Sequence, residues 1–554
     1  MNNDLYNAKK IVWPLLAAFA IVWLYVLGIR TLVPPDEGRY AEMAREMLAS
    51  GDWVTTRLNG IKYFEKPPLQ TWMNALSFAV FGLGEWQARL WTGLCGLLGV
   101  VLTGYTGARV FGARVGFYAA LALGSSLFWV AAGQFNSLDM GLSGMMTLAL
   151  CGLLIAQRDQ ATEAERRNWM LVCWAGMALA ILAKGLIGVV LPGAVLVLYT
   201  LAARDWAIWK RLHLVKGLLL FFAIVAPWFV LVALRNPEQP HFFFIHEHWD
   251  RFFLKEHHRE GAWYYFLILL VPGILPWLGV LLQSLFAATK RDVRSTFQPR
   301  LMILTWAVFI FFFFSYSNSK LPGYTLPVYP ALALLIAAYL EHASRRSRMV
   351  AAGLVLLGGL AGMAAVPLIA RVATNTALEK NFLIAYQSWV LAAAMIAAAG
   401  GALALLHARQ LRRDATVLTL ACAGFIATQL ILAGNEPYGK MRSGRALAHA
   451  MRAELGPDTK LYSVATYDQA LTFYARHTAI LVDYTDEFRF GLEQQPELAL
   501  PTIDAFVAQW RADAQHGVKD LAIIEADNYR KLQAQGVPMR VVTEDPRRMV
   551  VANI

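Results

Sequence analysis

Charge is scarce in this chain. Asp, Glu, Lys and Arg make up 16% of its 554 residues, against 57% hydrophobic residues and a mean hydropathy of +0.45. A water-soluble domain of this length cannot hide so much apolar surface, so lipid must be part of its solvent. Cysteine is nearly missing as well. Cys95, Cys151, Cys173 and Cys422 all fall in apolar runs, which excludes a disulfide framework and a thiolate metal site in exported segments. The apolar runs lack the alternation of barrel strands, and no repeat of transporter halves is visible. No phosphate-cradling glycine loop occurs after Asn435. No small-residue cleavage site precedes Pro34-Pro35, so the first apolar run reads as a retained span.

What the chain does have is apolar runs of roughly 18–22 residues, each long enough to cross the bilayer as a helix. About thirteen can be traced, from 11–29 to 416–432, with 116–133 and 263–287 each taken as one span. Placing Lys9 and Lys10 in the cytoplasm makes every second loop basic. Examples are Arg158, Arg166 and Arg167; Lys290, Arg291, Arg294 and Arg300; and Arg409, Arg412 and Arg413. The formal charge of +12 is therefore topogenic, and nucleic acid is not implied as a partner. An odd number of spans puts the region after Asn435 outside.

The expected organisation is a polytopic α-helical membrane protein. A transmembrane part, 1–434, carries exported loops at 31–85 and 235–262, and an extracytoplasmic α/β domain covers 435–554. In that domain, strand-like stretches at 460–466, 479–484, 520–525, 540–543 and 549–552 alternate with helical ones at 444–455, 468–477 and 503–516. The first loop opens Pro34-Pro35-Asp36-Glu37-Gly38-Arg39-Tyr40 and continues helically to Gly51. Ala41, Ala44, Met47 and Leu48 form its apolar face, with Arg39, Glu42, Arg45 and Glu46 directed away, as for a helix lying flat in the interface.

The ionisable residues in these loops suit a lipid-linked anionic substrate. Asp36 is placed to cap the helix starting near Glu37, and a cap position fixes a carboxylate at the bilayer surface. In Tyr63-Phe64-Glu65-Lys66-Pro67-Pro68 the prolines set a rigid turn, from which Lys66 can meet a phosphate and Glu65 a metal or cationic group. His246 and His248 flank Glu247, but an i, i+2 pair diverges on a helix, so a metal at His246 needs a distant carboxylate such as Glu65. Arg251, Lys255 and Arg259 are further phosphate contacts, with attraction to anionic lipid as the plainer account. Lys320, beside Pro322 and Tyr324, either snorkels from a span end or adds a cation to the same face.

The run Asp36-Glu37-Gly38-Arg39-Tyr40-Ala41-Glu42, continuing to Trp53, resembles the GT-C glycosyltransferases of the protein O-mannosyltransferase superfamily. Tyr63–Pro68, His257-His258-Arg259 with Trp263-Tyr264-Tyr265, Pro276-Trp277 and Lys320-Leu321-Pro322-Gly323-Tyr324 are similar to its bacterial aminoarabinose branch; Gly323 stands where that pattern has threonine. The resemblance spans essentially the whole chain. It implies an inner-membrane enzyme that moves 4-amino-4-deoxy-L-arabinose from undecaprenyl phosphate to a lipid A phosphate on the periplasmic face, conferring resistance to polymyxin and cationic antimicrobial peptides. It also implies inverting displacement and a monomer among membrane lipids.

On that resemblance Asp36, Glu37 and Arg39 form the catalytic set. Lys66, Arg251, Lys320 and Tyr63 bind the carrier phosphate. Glu65, Asp139, Tyr324, His257 and His258 bind substrate, with a zinc-like divalent metal at Glu65 and His246 and no other cofactor. A phosphate monoester acceptor is largely ionised at neutral pH and hardly needs a general base, so Asp36 is expected to orient substrate or stabilise positive charge at the anomeric carbon. Two other readings compete: a polyprenyl-phosphate-sugar-dependent protein O-glycosyltransferase, and a lipid transporter or flippase using Lys184 as an intramembrane charge.

Overall fold

A helix satisfies its own backbone polar groups, which is what lipid requires of a spanning segment. The apolar runs are predominantly helical in the computed structural model, which describes residues 5–250, 261–291, 295–372, 374 and 377–554. The chain is a polytopic α-helical membrane protein. Among the described residues eight helices are long and apolar enough to cross a bilayer, and a ninth is reached if the bent pair Tyr265–Gly273 and Leu278–Ala288 is one span. Lys10–Val26 and Ile187–Ala203 are shorter apolar helices.

Two of the roughly thirteen expected runs are broken by local causes. The run 116–133 divides into Ala113–Ser125 and Leu127–Ala132, because Ser126 is extended (φ −65°, ψ 121°). The run 263–287 turns through 111° at Leu275-Pro276, where proline offers no backbone donor to continue the helix. Composition alone does not register either break.

Two compact units make up the chain: Met1–Leu27 with Trp91–Asn435, and Gly28–Leu90 with Glu436–Ile554. In the first, Leu138–Ala156 is 89% buried, whereas Leu214–Arg235 is only 22% buried although more hydrophobic. Val215, Leu219 and Leu234 project outward from the latter. A helix wholly surrounded by protein and one facing lipid are both apolar, so hydropathy finds spans without saying which is central. The four cysteines are free thiols on these helices.

The second unit joins the first loop to the C-terminal segment. Its six-stranded sheet runs in the order Ala499–Leu500, Ile480–Val482, Leu461–Val464, Leu521–Ile524, Met549–Ala552, Arg540–Glu544. The first four strands are parallel, and the last two are antiparallel to their neighbours. Alternation along the strands builds two cores. Leu461, Leu521 and Ile523 pack with Leu447 and Leu471 on one face, and Tyr462, Ala522 and Ile524 with Phe506 and Trp510 on the other. The five strands and three helices expected from sequence are present. Strand Ala499–Leu500 and helices Glu436–Ser443, Arg489–Gln494 and Ala526–Ala534 are additions, each too short or too polar to register.

Candidate active site

The first-loop helix spans Asp36–Ser50 and ends at Gly51, whose φ of 70° suits glycine. Its N-cap is Pro35 and no side chain caps it, so Asp36 occupies the first helical position instead of the cap expected from sequence. The second residue, Glu37, is buried. Its carboxylate accepts from Arg89 Nε at 2.6 Å and Nη2 at 2.8 Å, and from the Val33 backbone at 2.9 Å. Arg89 further donates to the carbonyls of Arg30 and Thr31, at 2.6 and 2.9 Å, so the pair locks the entry to the helix. Asp36 is the opposite case. Its side chain is 58% exposed and is held by Arg39 Nη1 at 2.7 Å, one turn along.

Arg39 is itself fixed. Its Nη2 meets Glu487 Oε2 at 2.7 Å, and the other oxygen of Glu487 accepts from Gln469 Nε2 at 2.6 Å. The buried Tyr63 hydroxyl donates to Glu487 at 3.3 Å. Burial and then the charge of Glu65 push the Tyr63 hydroxyl well above its usual range, so it is a neutral donor. Burial also lifts Glu487, against the opposing pull of Arg39. The result is a relay of hydrogen bonds from a buried tyrosine and glutamine through Glu487 and Arg39 to an exposed carboxylate. Gly38 permits it: a Cβ there would stand 2.4 Å from the Ala470 nitrogen and 2.6 Å from its Cα.

The polar side of this helix does not face an interface. Glu42 is fully buried and takes a two-pronged contact from Arg45, both bonds 2.7 Å. Glu46 is buried too and accepts the backbone N–H groups of Asn59 and Gly60 at 2.5 and 2.7 Å. Those two residues, at φ 56° and 76°, turn the hairpin Arg57–Leu58/Ile61–Lys62. Packing against this hairpin and the helix Gln469–Ala475 replaces the expected flat interfacial helix. Burial and the neighbouring Glu42 raise the Glu46 carboxyl to about 8.

Glu65 and Lys66 follow the hairpin and are half-buried; the Lys66 ammonium donates to the Glu65 carbonyl at 2.7 Å. Among the described residues no group of three or more His, Cys, Asp or Glu is assembled to hold a metal ion. Glu65 and His246 fall in different units, and the His246 ring stacks on Phe242 at 5.2 Å. No third donor from the described residues joins either one.

The other unit brings a second set together. Asp139, in the first turn of Leu138–Ala156, forms an ion pair with Lys184, the last residue of Glu163–Lys184. The Lys184 ammonium lies 4.7 Å from the Tyr324 ring centre, and Tyr324 packs on Phe314 at 5.1 Å. A Cβ on Gly323 would be 2.2 Å from Asp139 Oδ2. Glycine at 323 therefore leaves the space that the Asp139 carboxylate occupies. Lys320 is buried, donating to the carbonyls of Ser315 and Ser317 at 2.8 and 2.9 Å. Arg251, His257 and His258 lie outside the described residues.

Residues 447–553 match the family described as the aminoarabinose transferase C-terminal domain, and 65–231 match dolichyl-phosphate-mannose-protein mannosyltransferase. An undecaprenyl phosphate-alpha-4-amino-4-deoxy-L-arabinose arabinosyl transferase of Edwardsiella ictaluri is 30% identical, over 87% of this chain and 88% of its own length. The chain belongs to this aminoarabinose transferase family. Another member, from Serratia proteamaculans, is 27% identical over 98% of this chain and 99% of its own. The crystal structure of ArnT from Cupriavidus metallidurans bound to undecaprenyl phosphate is 42% identical, with a TM-score of 0.93, covering 99% of this chain and 98% of that one. The Archaeoglobus fulgidus oligosaccharyltransferase tethered to an acceptor peptide shares the fold alone, with 12% identity and a TM-score of 0.51 over 93% of this chain and 69% of that one.

Sequence reasoning missed Lys184, Arg89 and Glu487 as partners of the candidate site residues Asp139, Glu37 and Arg39. Arg89 carried a signal, since an arginine inside an apolar run needs a partner. Lys184 closes an otherwise apolar stretch, and the sequence offered it only as an intramembrane charge of a transporter, not as a partner of Asp139. Glu487 sits in a polar loop and carried none.

Proposed function

We propose that the chain transfers 4-amino-4-deoxy-L-arabinose from undecaprenyl phosphate to a phosphate of lipid A. The observation that carries the chemistry is the exposed Asp36 carboxylate, immobilised by Arg39 while the adjacent Glu37 is consumed by Arg89. The acceptor phosphate is already anionic and attacks the anomeric carbon from the face opposite the leaving carrier phosphate, with inversion. Positive charge grows on the sugar as the bond to the carrier breaks. A fixed carboxylate placed against that charge lowers the barrier without removing a proton.

Roles follow from what each side chain has left to offer. Arg39 and Glu37 are positioning residues, because their partners occupy them. The half-buried Lys66 ammonium, which has more N–H groups than its bond to the Glu65 carbonyl uses, meets the departing carrier phosphate, with the Tyr63 hydroxyl contributing through Glu487. Glu65 pairs with the sugar ammonium. Asp139 and Tyr324, arranged by Lys184, bind substrate in the transmembrane unit, with His257 and His258.

The reaction takes place on the periplasmic side of the inner membrane, a placement supported by the alternation of basic loops. Lowering the negative charge of lipid A weakens its attraction for polymyxin and cationic peptides. The test is lipid A mass spectrometry after expression in a strain lacking its own transferase. An added mass matching a pentosamine is expected, and an unchanged spectrum with normal protein level would refute the assignment.

A further inference from the structure

At the end of the helical bundle remote from Gly323 and Tyr324, a cleft of about 220 Å³ opens between three spans. It is bounded by the last residues of Leu278–Ala288, the first of Pro299–Tyr316 and the last of Tyr329–Leu340. Leu335 and Ala338 line its apolar wall, and Lys290, Arg300 and His342 its polar mouth. Among the described residues no carboxylate lines it. The segment Pro322–Leu340 carries Tyr324 near one end and this cleft at the other, roughly 20 Å apart at 1.5 Å per residue. The cleft is therefore separate from the Asp139–Lys184 site.

Its charge is uncompensated by the described residues. Among the described residues neither Lys290 nor Arg300 has an ion-pair partner, and the Arg300 guanidinium lies over the Phe111 ring, 5.8 Å from its centre. His342 contacts Glu341 at 3.4 Å, and that carboxylate does not face the cleft. Two cations and a histidine above an apolar wall, at the ends of membrane-spanning helices, match a molecule with an anionic head and an apolar tail. Basic pockets between spans on the side of the basic loops take lipid phosphates for this reason.

We propose that this cleft binds an anionic phospholipid, with its phosphodiester on Lys290 and Arg300 and an acyl chain along Leu335 and Ala338. The lipid is a resident ligand, distinct from the donor and acceptor of the transfer reaction, and it ties three spans together at their basic ends. Binding to the folded state alone stabilises it by mass action.

Native mass spectrometry of the full chain in detergent, titrated with phosphatidylglycerol or phosphatidylethanolamine, tests this directly. Each basic residue near an anionic head group changes affinity roughly fivefold, so Lys290→Gln with Arg300→Gln should weaken phosphatidylglycerol binding about 25-fold. Phosphatidylethanolamine binding should barely change. Lys290 is exposed, so Lys290→Gln alone preserves the fold and should show the single fivefold loss. Arg409→Gln with Arg412→Gln, exposed residues of another basic loop, should leave binding intact. Unchanged binding in the cleft variants, or an equal loss in the Arg409/Arg412 variant, would overturn the proposal. Displacement of the lipid by millimolar inorganic phosphate would also overturn it, making this a free-anion site.

Discussion

Arg39 and Glu487 meet at 2.7 Å, and through this contact a residue of the C-terminal segment fixes the geometry of Asp36. Glu487 acts on Asp36 at one remove, by holding Arg39. Glu487→Gln should therefore lower kcat about tenfold or more while leaving KM for the carrier-linked sugar within about twofold, since a small misplacement is costly in rate. Steady-state kinetics of the purified variant decide it, and a change confined to KM would assign Glu487 to substrate binding.

Glu37 differs from its neighbour in kind. Its partner Arg89 is fully buried, so Glu37→Gln leaves an uncompensated charge inside the protein. The expected loss is about 3–5 kcal/mol of stability, seen as a fall in thermal midpoint and in protein yield. A stable but inactive Glu37→Gln protein would instead make this carboxylate catalytic.

Glu46 gives the second unit a pH dependence with a definite sign. Its folded carboxyl titrates at about 8, because of burial and Glu42, whereas an unfolded glutamate titrates near 4.3. The folded state binds the proton more tightly, so this contribution is fully present below the unfolded value and is lost as pH rises through the folded one. Thermal midpoints of the wild type should fall between pH 6 and pH 9, and Glu46→Gln should flatten that decline. Parallel curves for the two proteins would contradict the assignment.

Gly323→Thr would put a Cβ within 2.2 Å of Asp139 Oδ2 and 2.7 Å of its Cβ. The carboxylate must then leave Lys184, or the loop must shift. Transfer should fall about 10–100-fold with little change in thermal midpoint, as expected for a displaced binding group. Full activity in this variant would separate the Asp139–Lys184 pair from substrate binding.

Much of this was legible because lipid and sheet each impose a simple period. Long apolar runs gave the spans, and alternating apolar residues gave strands such as Leu521–Ile524. The breaks at Ser126 and Pro276 were not legible from hydropathy, since a bent or interrupted helix keeps the same composition. In the first loop the sequence placed the carboxylates but not their employment. Asp36 and Glu37 are adjacent and chemically alike, and only the distant partners Arg39–Glu487 and Arg89 make one exposed and the other buried. The same holds for Glu42 and Glu46, whose polarity suggested solvent while the fold supplies Arg45 and the hairpin backbone instead.

On the proposed mechanism a single exposed carboxylate, Asp36, drives sugar transfer by charge placement. The direct measurement is the rate of aminoarabinose transfer from undecaprenyl phosphate to lipid A by purified wild-type and Asp36→Asn proteins. Asp36→Asn should lose about 100-fold or more in kcat, the range for one preorganised electrostatic contact, with an unchanged thermal midpoint. Undiminished transfer by Asp36→Asn would remove this carboxylate from the chemistry.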